Sequence, residues 1–332
     1  MVFVELLKQQ IVRAKRARLR RALRRRRPGY HSAFGGLWTD RLDAERVLGE
    51  KERAGGIDPA DAELLRSWMA DGFVVLPSAV PADVVDAIDA EVDAIWERAD
   101  ASFRIEIGER RFALEPALRR EPYKLLDLCA RSQAALTAAC AAPIQRFLRL
   151  VFEREPLLFQ SLSFEWGSSQ PIHQDSTYVV VSSPLELAAA WIALQDVSAG
   201  SGELEYYVGS HRLPDFVFPG GTRSYHPELH DDALHASYLD GLHARARAAG
   251  LERRSFTPRK GDVLIWSADL AHGGAAVLDP GRTRKSLVCH YCPLDVTPGF
   301  FFARATRRPV REFRGLRYCS THHDVSPGLA GG

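Results

Sequence analysis

Apolar residues recur every three or four positions through the first half of the chain, and this spacing predicts helices. The first 27 residues contain neither Gly nor Pro and are rich in Ala, Leu and Arg, so they are predicted to form one helix with a weak apolar face. Further helices are predicted over about Asp58–Ala101 and about Tyr123–Leu150. A short strand over Gly72–Pro77 interrupts the first of these, and the helix resumes over Pro81–Trp96.

After Leu157 the pattern changes to short apolar or alternating runs separated by Gly, Ser, Pro and Asp, which is typical of a sheet. The predicted strands are Leu158–Trp166, Thr177–Val181, Leu187–Leu194, Glu203–Val208, Asp262–Ser267 and Arg284–Tyr291. This number of strands suits a closed barrel or a sandwich, so a mixed α+β fold with its helices first is expected. The long interval Leu213–Pro258 is predicted to be a loop and helix inserted between strands as a lid.

The composition is that of an ordinary globular protein, with 46% hydrophobic and 26% charged residues, and it excludes a disordered or collagen-like chain. A length of 332 residues suits one large domain or two small ones. Continuous apolar runs are too short for a membrane-spanning helix, and Leu185–Leu194, among the most apolar, contains Glu186. The five cysteines are odd in number and sparse, which argues against a disulfide framework and favours a reducing cytoplasm.

The net charge of +2 conceals an asymmetry. Eleven Lys and Arg residues and no acidic residue lie between Leu6 and Thr39, which leaves 33 basic against 42 acidic residues elsewhere. Residues 1–40 are therefore interpreted as a basic helical arm on an acidic body. The simplest role of this arm is a mobile solubilising or oligomer-contact segment; the alternative is contact with an anionic membrane surface, which would place a cytoplasmic protein at the inner face of the membrane. The acidic body argues against nucleic acid as a partner.

The most informative local sequence surrounds His173 and Asp175. Residues two apart on an extended segment point to the same side, so this imidazole and this carboxylate can bind one metal ion. A third candidate ligand, His272, follows a predicted strand in a glycine-flanked turn. Two histidines and one carboxylate form the facial triad that leaves positions open on Fe(II) for a bidentate cosubstrate and O₂.

Arg284 and Ser286 lie two apart at the start of the next predicted strand, twelve residues after His272. A guanidinium beside a hydroxyl suits one end of a dicarboxylate. In this order, the His-x-Asp, His and Arg-x-Ser groups resemble those of the Fe(II)- and 2-oxoglutarate-dependent oxygenases, and more narrowly the phytanoyl-CoA dioxygenase-like family. The resemblance extends over about Gly72–Pro293 and includes the segments Trp191–Val197, Gly202–Leu204 and Gly209–His211.

The resemblance implies a double-stranded β-helix core, the jelly-roll or cupin-like architecture, flanked by N-terminal helices. It also implies a single oxygenase domain over residues 41–310. Within it, residues 41–157 would form the helical flank and 158–310 the barrel, interrupted by the insertion at 213–258. Residues 311–332 would then form a C-terminal tail.

The resemblance further assigns roles to individual residues. His173, Asp175 and His272 would bind Fe(II), and Arg284 with Ser286 would hold the distal carboxylate of the cosubstrate 2-oxoglutarate. Residues that would line the cosubstrate pocket are Trp191, Lys124 and Gln160, with Gln174 as a weaker candidate. Alternatives remain for three positions: Arg282 competes with Arg284, Trp191 could belong to the core, and Lys124 could be a surface lysine at a helix start.

The expected reaction is hydroxylation of an unactivated C–H bond in a small-molecule or lipid-type substrate, with O₂ consumed and succinate and CO₂ released. Halogenating relatives replace the metal-binding carboxylate by a small residue, so Asp175 favours hydroxylation. Two alternatives remain: a cupin-type metal enzyme that does not use 2-oxoglutarate, and a non-enzymatic adaptor that acts through the basic arm. Arg284 discriminates between the first alternative and the oxygenase.

Two further patterns are interpreted as structural. His211 is expected to end a strand with a hydrogen bond rather than to bind metal. Cys319, His322 and His323 are expected to lie in a surface tail, because a single cluster without a second pair of ligands is weak evidence for zinc.

Overall fold

The computed structural model describes residues 2–108, 110–305 and 309–323. Within these ranges the chain forms seven α-helices: α1 Val2–Leu23, α2 Ala44–Arg53, α3 Pro59–Asp71, α4 Ala82–Glu97, α5 Gln133–Ala139, α6 Ala142–Phe152 and α7 Asp232–Ala248. The helix expected at the N-terminus is thus confirmed, although it ends at Leu23 and Met1 lies outside the described residues. Among the described residues no single helix is long and apolar enough to span a membrane. Helices α5 and α6, which meet at a bend of 48°, have the required length and composition only when taken together.

The same described residues also form thirteen β-strands. They are β1 Phe73–Leu76, β2 Ile105–Ile107, β3 Arg110–Phe112, β4 Lys124–Leu126, β5 Pro156–Phe164, β6 Ala188–Ala193, β7 Leu204–Tyr207, β8 Arg253–Phe256, β9 Val263–Ser267, β10 His272–Gly274, β11 Ser286–Pro293, β12 Arg311–Phe313 and β13 Leu316–Tyr318. Eight of them form one continuous sheet in the order β1-β9-β6-β11-β5-β4-β2-β3, to which β12 and β13 attach through β5. A smaller sheet has the order β10-β7-β8.

The large sheet is almost entirely antiparallel, and its central strands divide the interior into two sides. On β6, Trp191 belongs to the core shared with the small sheet, and its ring lies 5.8 Å from that of Phe256 on β8. The next residue, Ile192, belongs to the core shared with helices α2 to α6. On β11, Val288 belongs to the core shared with the small sheet, and Leu287 belongs to the core shared with the helices. Because side chains alternate along a strand, one face of the large sheet carries helices and the other faces the small sheet.

Two predicted elements differ from the structure. Thr177–Val181 is not a strand: a 3₁₀ turn covers Asp175–Thr177, and Val181 makes only an isolated bridge with Pro298. The region predicted as helix from Tyr123 begins instead with β4, because Leu125 and Leu126 pair with β5. Helix α5 starts only after Ser132, whose hydroxyl accepts a hydrogen bond from the backbone N–H of Ala135.

The expected C-terminal tail is folded against the body in its described part. Its strand β13 runs parallel to β5, and Leu316 and Tyr318 are fully buried in the helical core. Cys319 and His323 are also buried, so the expected surface position of this cluster is wrong. Cys319 and His323 are buried because they follow β13, which pairs with β5 of the large sheet. Residues 324–332 of the expected tail lie outside the described residues.

The basic N-terminal helix also lies against the body, which differs from the mobile arm expected. Leu23 is buried, and the ammonium of Lys15 donates hydrogen bonds to the carbonyl oxygens of Arg304, at 3.0 Å, and Ala305, at 3.2 Å. The contact is with the 3₁₀ turn Gly299–Ala303, almost three hundred residues away in the chain.

The insertion at residues 213–258 contains helix α7 and ends in β8, which pairs with β7 and completes the small sheet. Tyr238 and Leu242 of α7 are buried against Phe218 and Tyr207. This segment therefore has a core of its own beside the small sheet.

Candidate active site

The backbone brings the three predicted metal ligands together. His173 and His272 face each other in an isolated antiparallel bridge, in which the N–H of each donates to the carbonyl of the other at 2.8 and 2.9 Å. The His272 segment is strand β10, not the turn expected, and its other two residues are glycines. A Cβ on Gly273 would lie 2.7 Å from the carbonyl oxygen of Gln170, so only glycine permits this close approach.

The ligand atoms of His173, Asp175 and His272 all lie within 4.8 Å of one another, and all three residues are buried. Nδ1 of His173 lies 2.8 Å from the carbonyl oxygen of Pro171, and Nδ1 of His272 lies 2.9 Å from that of Leu270. A carbonyl only accepts, so Nδ1 carries the proton in both rings and Nε2 keeps its lone pair. Both Nε2 atoms lie 3.7 Å from Oδ1 of Asp175.

The protonation of this cluster suits a divalent metal ion. Burial lowers the pKa of His272 to about 4, so its imidazole is neutral at physiological pH. Burial alone would raise the pKa of Asp175, but the imidazoles of His272, His173 and His290 outweigh it and hold that pKa well below its usual range. Two imidazoles and one carboxylate are the donors that Fe(II) takes in facial-triad sites, so these residues fit the metal that the sequence implies.

The second oxygen of Asp175 is held by two residues that sequence reasoning missed. Nε1 of Trp266 on β9 donates to Oδ2 at 2.7 Å, and Nε2 of His290 on β11 lies 3.6 Å from the same atom. A signal for His290 exists in the sequence, because alternation from Arg284 through Ser286 places it on the same strand face. Oδ1 is therefore the oxygen of Asp175 that faces His173 and His272.

Arg284 lies at the other end of the same strand face and is 3% exposed. Its Nε donates to the carbonyl of Gly202 at 3.0 Å and its Nη1 to the hydroxyl of Ser286 at 2.7 Å. Burial lowers the pKa of Arg284 to about 10, which leaves it cationic. The competing Arg282 is about half exposed and lies 3.5 Å from Asp279, in the turn before the strand. Of these two arginines, Arg284 is the buried one.

A cavity of about 580 Å³ joins these groups. Its lining includes the three candidate ligands, Arg284, and the predicted pocket residues Trp191, Lys124 and Gln160. Ser286 reaches the cavity through Arg284, whereas Gln174 points away and donates to the carbonyl of Asp269 at 2.7 Å. Trp191 serves both interpretations, because it lines the cavity and also packs in the core.

Lys124 lies on strand β4, not at a helix start. Its ammonium is 3.4 Å from Glu106, and both residues line the cavity. The insertion reaches the cavity too, through His235 and Leu239 of α7. Its contact is made with Tyr178, whose hydroxyl is hydrogen-bonded to Nε2 of His235. These three residues had no signal in the sequence, since they meet only when α7 packs beside the triad.

His211 lies outside the candidate ligand set. It is buried, and its Nε2 lies 3.2 Å from the carbonyl oxygen of Met69. The structural hydrogen bond expected for this residue is therefore confirmed.

Comparison with known proteins points to the same chemistry. The family model described as Phytanoyl-CoA dioxygenase (PhyH) matches residues 68–286 of the chain. No curated protein matches the chain significantly.

Among solved structures, the epimerase SnoN in complex with Fe³⁺, alpha ketoglutarate and nogalamycin RO is 20% identical, with a TM-score of 0.54 over 72% of this chain and 86% of that one. EctD from S. alaskensis with 2-oxoglutarate and 5-hydroxyectoine is 18% identical, with a TM-score of 0.54 over 80% of this chain and 89% of that one. The carbocyclase SnoK from nogalamycin biosynthesis is 19% identical, with a TM-score of 0.50 over 74% and 87%. At these identities the likeness shows a shared fold. The family match extends over more than half of the chain, so this protein belongs to the phytanoyl-CoA dioxygenase family and is an Fe(II)- and 2-oxoglutarate-dependent oxygenase.

Proposed function

We propose that His173, Asp175 and His272 hold Fe(II), and that Arg284 with Ser286 binds the distal carboxylate of 2-oxoglutarate. The observation that carries this proposal is the charge on Arg284 in the cavity of the triad. Among the described residues no carboxylate forms an ion pair with it, and Glu203, the acid that acts on it electrostatically, accepts a hydrogen bond from the backbone N–H of Gly200. An unpaired buried cation is costly, so it favours an anionic ligand at this position.

We further propose hydroxylation of a C–H bond as the reaction. When bound, Fe(II) would supply the activation of O₂, one oxygen atom ending in succinate as 2-oxoglutarate loses CO₂ and the other in the hydroxyl of the product. The chain positions the reactants and excludes water with apolar walls that include Leu162, Phe164 and Val288. Asp175 supports hydroxylation over halogenation, because its carboxylate occupies the position that a halide would need.

The first test is an anaerobic titration of the protein with Fe(II) and then 2-oxoglutarate. A keto acid chelated to Fe(II) should produce a weak absorption band at about 500 nm. We expect His173→Ala and Asp175→Ala to lose the band. Arg284→Ala should weaken 2-oxoglutarate binding by about tenfold or more, since it removes a charge-assisted contact. The matched control Arg282→Ala should behave as the unsubstituted protein.

Other results of that titration would favour the two alternatives. Metal binding without the band, or unchanged 2-oxoglutarate affinity in Arg284→Ala, would favour a metal enzyme that does not use 2-oxoglutarate. Absence of metal binding would favour an adaptor. The arrangement of the two sheets around the cavity supports the proposal that they form the double-stranded β-helix expected of an oxygenase.

We also propose that the protein is cytoplasmic and that the basic helix α1 contacts an anionic membrane surface. The first turns of α1 expose Val4, Leu7 and Ile11, which are spaced as one helical stripe, beside the basic Lys8. Anionic phosphatidylserine vesicles should sediment the protein, and Leu7→Gln with Ile11→Gln should reduce sedimentation. Leu278→Gln, at an exposed apolar residue far from α1 in the sequence, is the control. Equal sedimentation with neutral vesicles would refute the contact.

A further inference from the structure

A second cavity of about 350 Å³ lies between helix α1 and the body. Its floor is the 3₁₀ turn Gly299–Ala303, and its roof is one side of α1. The residues of α1 that line it are Arg16, Leu19, Arg20 and Leu23. These positions are spaced by three or four, so they form one face of the helix. Helix α1 lies outside the residues matched by the family model.

The second cavity adjoins the cavity of the triad. Four residues line both: Gln160, Tyr178, Val179 and Thr321. The ring of Tyr178 lies 5.5 Å from that of His173, with their planes at 67°. A molecule in the second cavity would therefore contact Tyr178 and the other residues that also line the cavity of the triad.

The walls of the second cavity are apolar and its rim is basic. The apolar lining includes Leu19, Leu23, Phe159, Phe300 and Phe302. The charged and titratable residues that line it are Arg16, Arg20, His226, Glu228 and Tyr178.

Burial lowers the pKa of His226, so two cations face one carboxylate at the rim. No described carboxylate forms an ion pair with Arg16 or Arg20. The cavity thus combines an apolar interior with an unneutralised basic rim.

We propose that the substrate is an amphiphilic anion. Its carboxylate or phosphate binds between Arg16 and Arg20, its apolar body fills the second cavity, and its far end passes Tyr178 to be oxidised at the triad. This inference rests on the proposed oxygenase function for the oxidised end, but the binding site itself does not require iron. It makes α1 a specificity element rather than only a basic arm.

The test is calorimetric titration of the full-length, metal-free protein with decanoate and with decyl phosphate, each below its micelle concentration. Both anions should bind, and decyltrimethylammonium should not. The two anionic probes separate a carboxylate from a phosphate preference. Arg16→Gln with Arg20→Gln should weaken binding of the preferred anion by about tenfold or more. Leu19→Trp, which fills the cavity without changing charge, should weaken it as well.

The matched control is Arg13→Gln with Arg18→Gln. It removes the same charge from the same helix at exposed positions that do not line the cavity, so binding should stay within about twofold. Equal weakening in both double variants, or equal binding of the cationic probe, would overturn the proposal. The absorption band with Fe(II) and 2-oxoglutarate keeps the two proposals distinct. A band without decanoate or decyl phosphate binding refutes only the substrate assignment, and anion binding without a band refutes only the oxygenase roles.

Discussion

The carboxylate of Asp175 is oriented by contacts on both of its oxygens. Oδ1 faces the two histidines, while Oδ2 accepts from Trp266 and lies beside His290. Residues behind a metal ligand fix its rotamer and tune its affinity for the ion. We therefore expect His290 to be a positioning residue that acts on the proposed ligand Asp175.

His290→Ala should weaken Fe(II) binding by about tenfold to a hundredfold, because it frees one side of the Asp175 carboxylate. His290→Gln, which keeps a hydrogen-bond donor, should recover part of the affinity. Val288→Ala is the control, since Val288 lines the same cavity but is not among the residues that contact Asp175. Anaerobic metal titration measures all three, and equal affinity in His290→Ala and the unsubstituted protein would contradict this role.

A second residue-scale prediction concerns His211, which lies far from the triad in the sequence. Burial lowers its pKa in the folded protein to about 3, below the value of about 6.5 in the unfolded chain. The unfolded chain therefore binds the proton more tightly, and the contribution of His211 to stability is complete above pH about 6.5 and declines as pH falls toward about 3. At pH about 5 the loss should be about 2 kcal/mol.

Urea unfolding at pH about 7.5 and about 5 tests this linkage. His211→Gln keeps a donor for the carbonyl of Met69 but cannot titrate, so its loss of stability between the two pH values should be smaller by about 2 kcal/mol. An identical pH dependence in the two proteins would show that His211 does not carry the effect.

At the scale of elements, the site depends on how closely β10 approaches the segment before His173. The backbone bridge between His173 and His272 sets the spacing of the two imidazoles, and the glycines of β10 allow it. Strands β9 and β11 then supply Trp266 and His290 from the large sheet. The proposed ligand Asp175 thus lies in a 3₁₀ turn and His272 begins the short strand β10, while the longer strands β9 and β11 supply the residues behind them.

Gly273→Ala should separate the two histidine segments, because the new Cβ would also lie 2.9 Å from the backbone nitrogen of Ile172. We expect Fe(II) affinity to fall by about tenfold or more. Gly281→Ala is the control, since its Cβ would come no closer than 3.4 Å to Asp279. Metal titration beside thermal unfolding would distinguish a distorted site from an unfolded chain, and normal affinity in Gly273→Ala would contradict the argument.

The insertion is tied to the rest of the molecule by a buried ion pair network. Arg223, which is 3% exposed, donates to Asp215 at 2.5 Å and to Asp269 at 2.6 Å. Asp215 also accepts from the hydroxyl of Ser32 and the N–H of Ala33. One guanidinium therefore connects the insertion, the N-terminal segment and the turn before β10.

Arg223→Met should lower the free energy of unfolding by about 3–5 kcal/mol, because it leaves two carboxylates without their partner in a buried network. Arg247→Met, at an exposed position on the same insertion, should change it by less than about 0.5 kcal/mol. Urea unfolding measures both. A small effect of Arg223→Met would mean that the aspartates find other partners or water.

On the scale of the whole molecule, the two sheets and the helical layer bury all five cysteines, each of which lies in the described part of the chain and outside any disulfide. Burial raises the pKa of Cys140, Cys289 and Cys292, which disfavours their reactive thiolates.

The folded protein should therefore react negligibly with a thiol reagent such as dithionitrobenzoate. In the protein unfolded in guanidinium chloride all five cysteines should form mixed disulfides with the reagent, each releasing one thionitrobenzoate. Rapid reaction of the folded protein would show that the layers open far more readily than this packing implies.

The local pattern of the sequence determined the chemistry of the site. Side chains two apart share a face of an extended segment, so His173 with Asp175 and Arg284 with Ser286 could be paired before any fold was known. The absence of Gly and Pro predicted α1, and short apolar or alternating runs predicted the main strands, because each of these elements depends on neighbours within a few residues. The order of these groups along the chain also identified the family.

Only the tertiary structure decided which distant segments meet. Trp266 and His290 reach Asp175, the last strands return beside β5, and α1 closes a second cavity against the turn Gly299–Ala303. No local period encodes these contacts, because they depend on which apolar faces bury one another when the whole chain packs. For that reason the sequence indicated an oxygenase, whereas the shape and charge of the two cavities came from the fold.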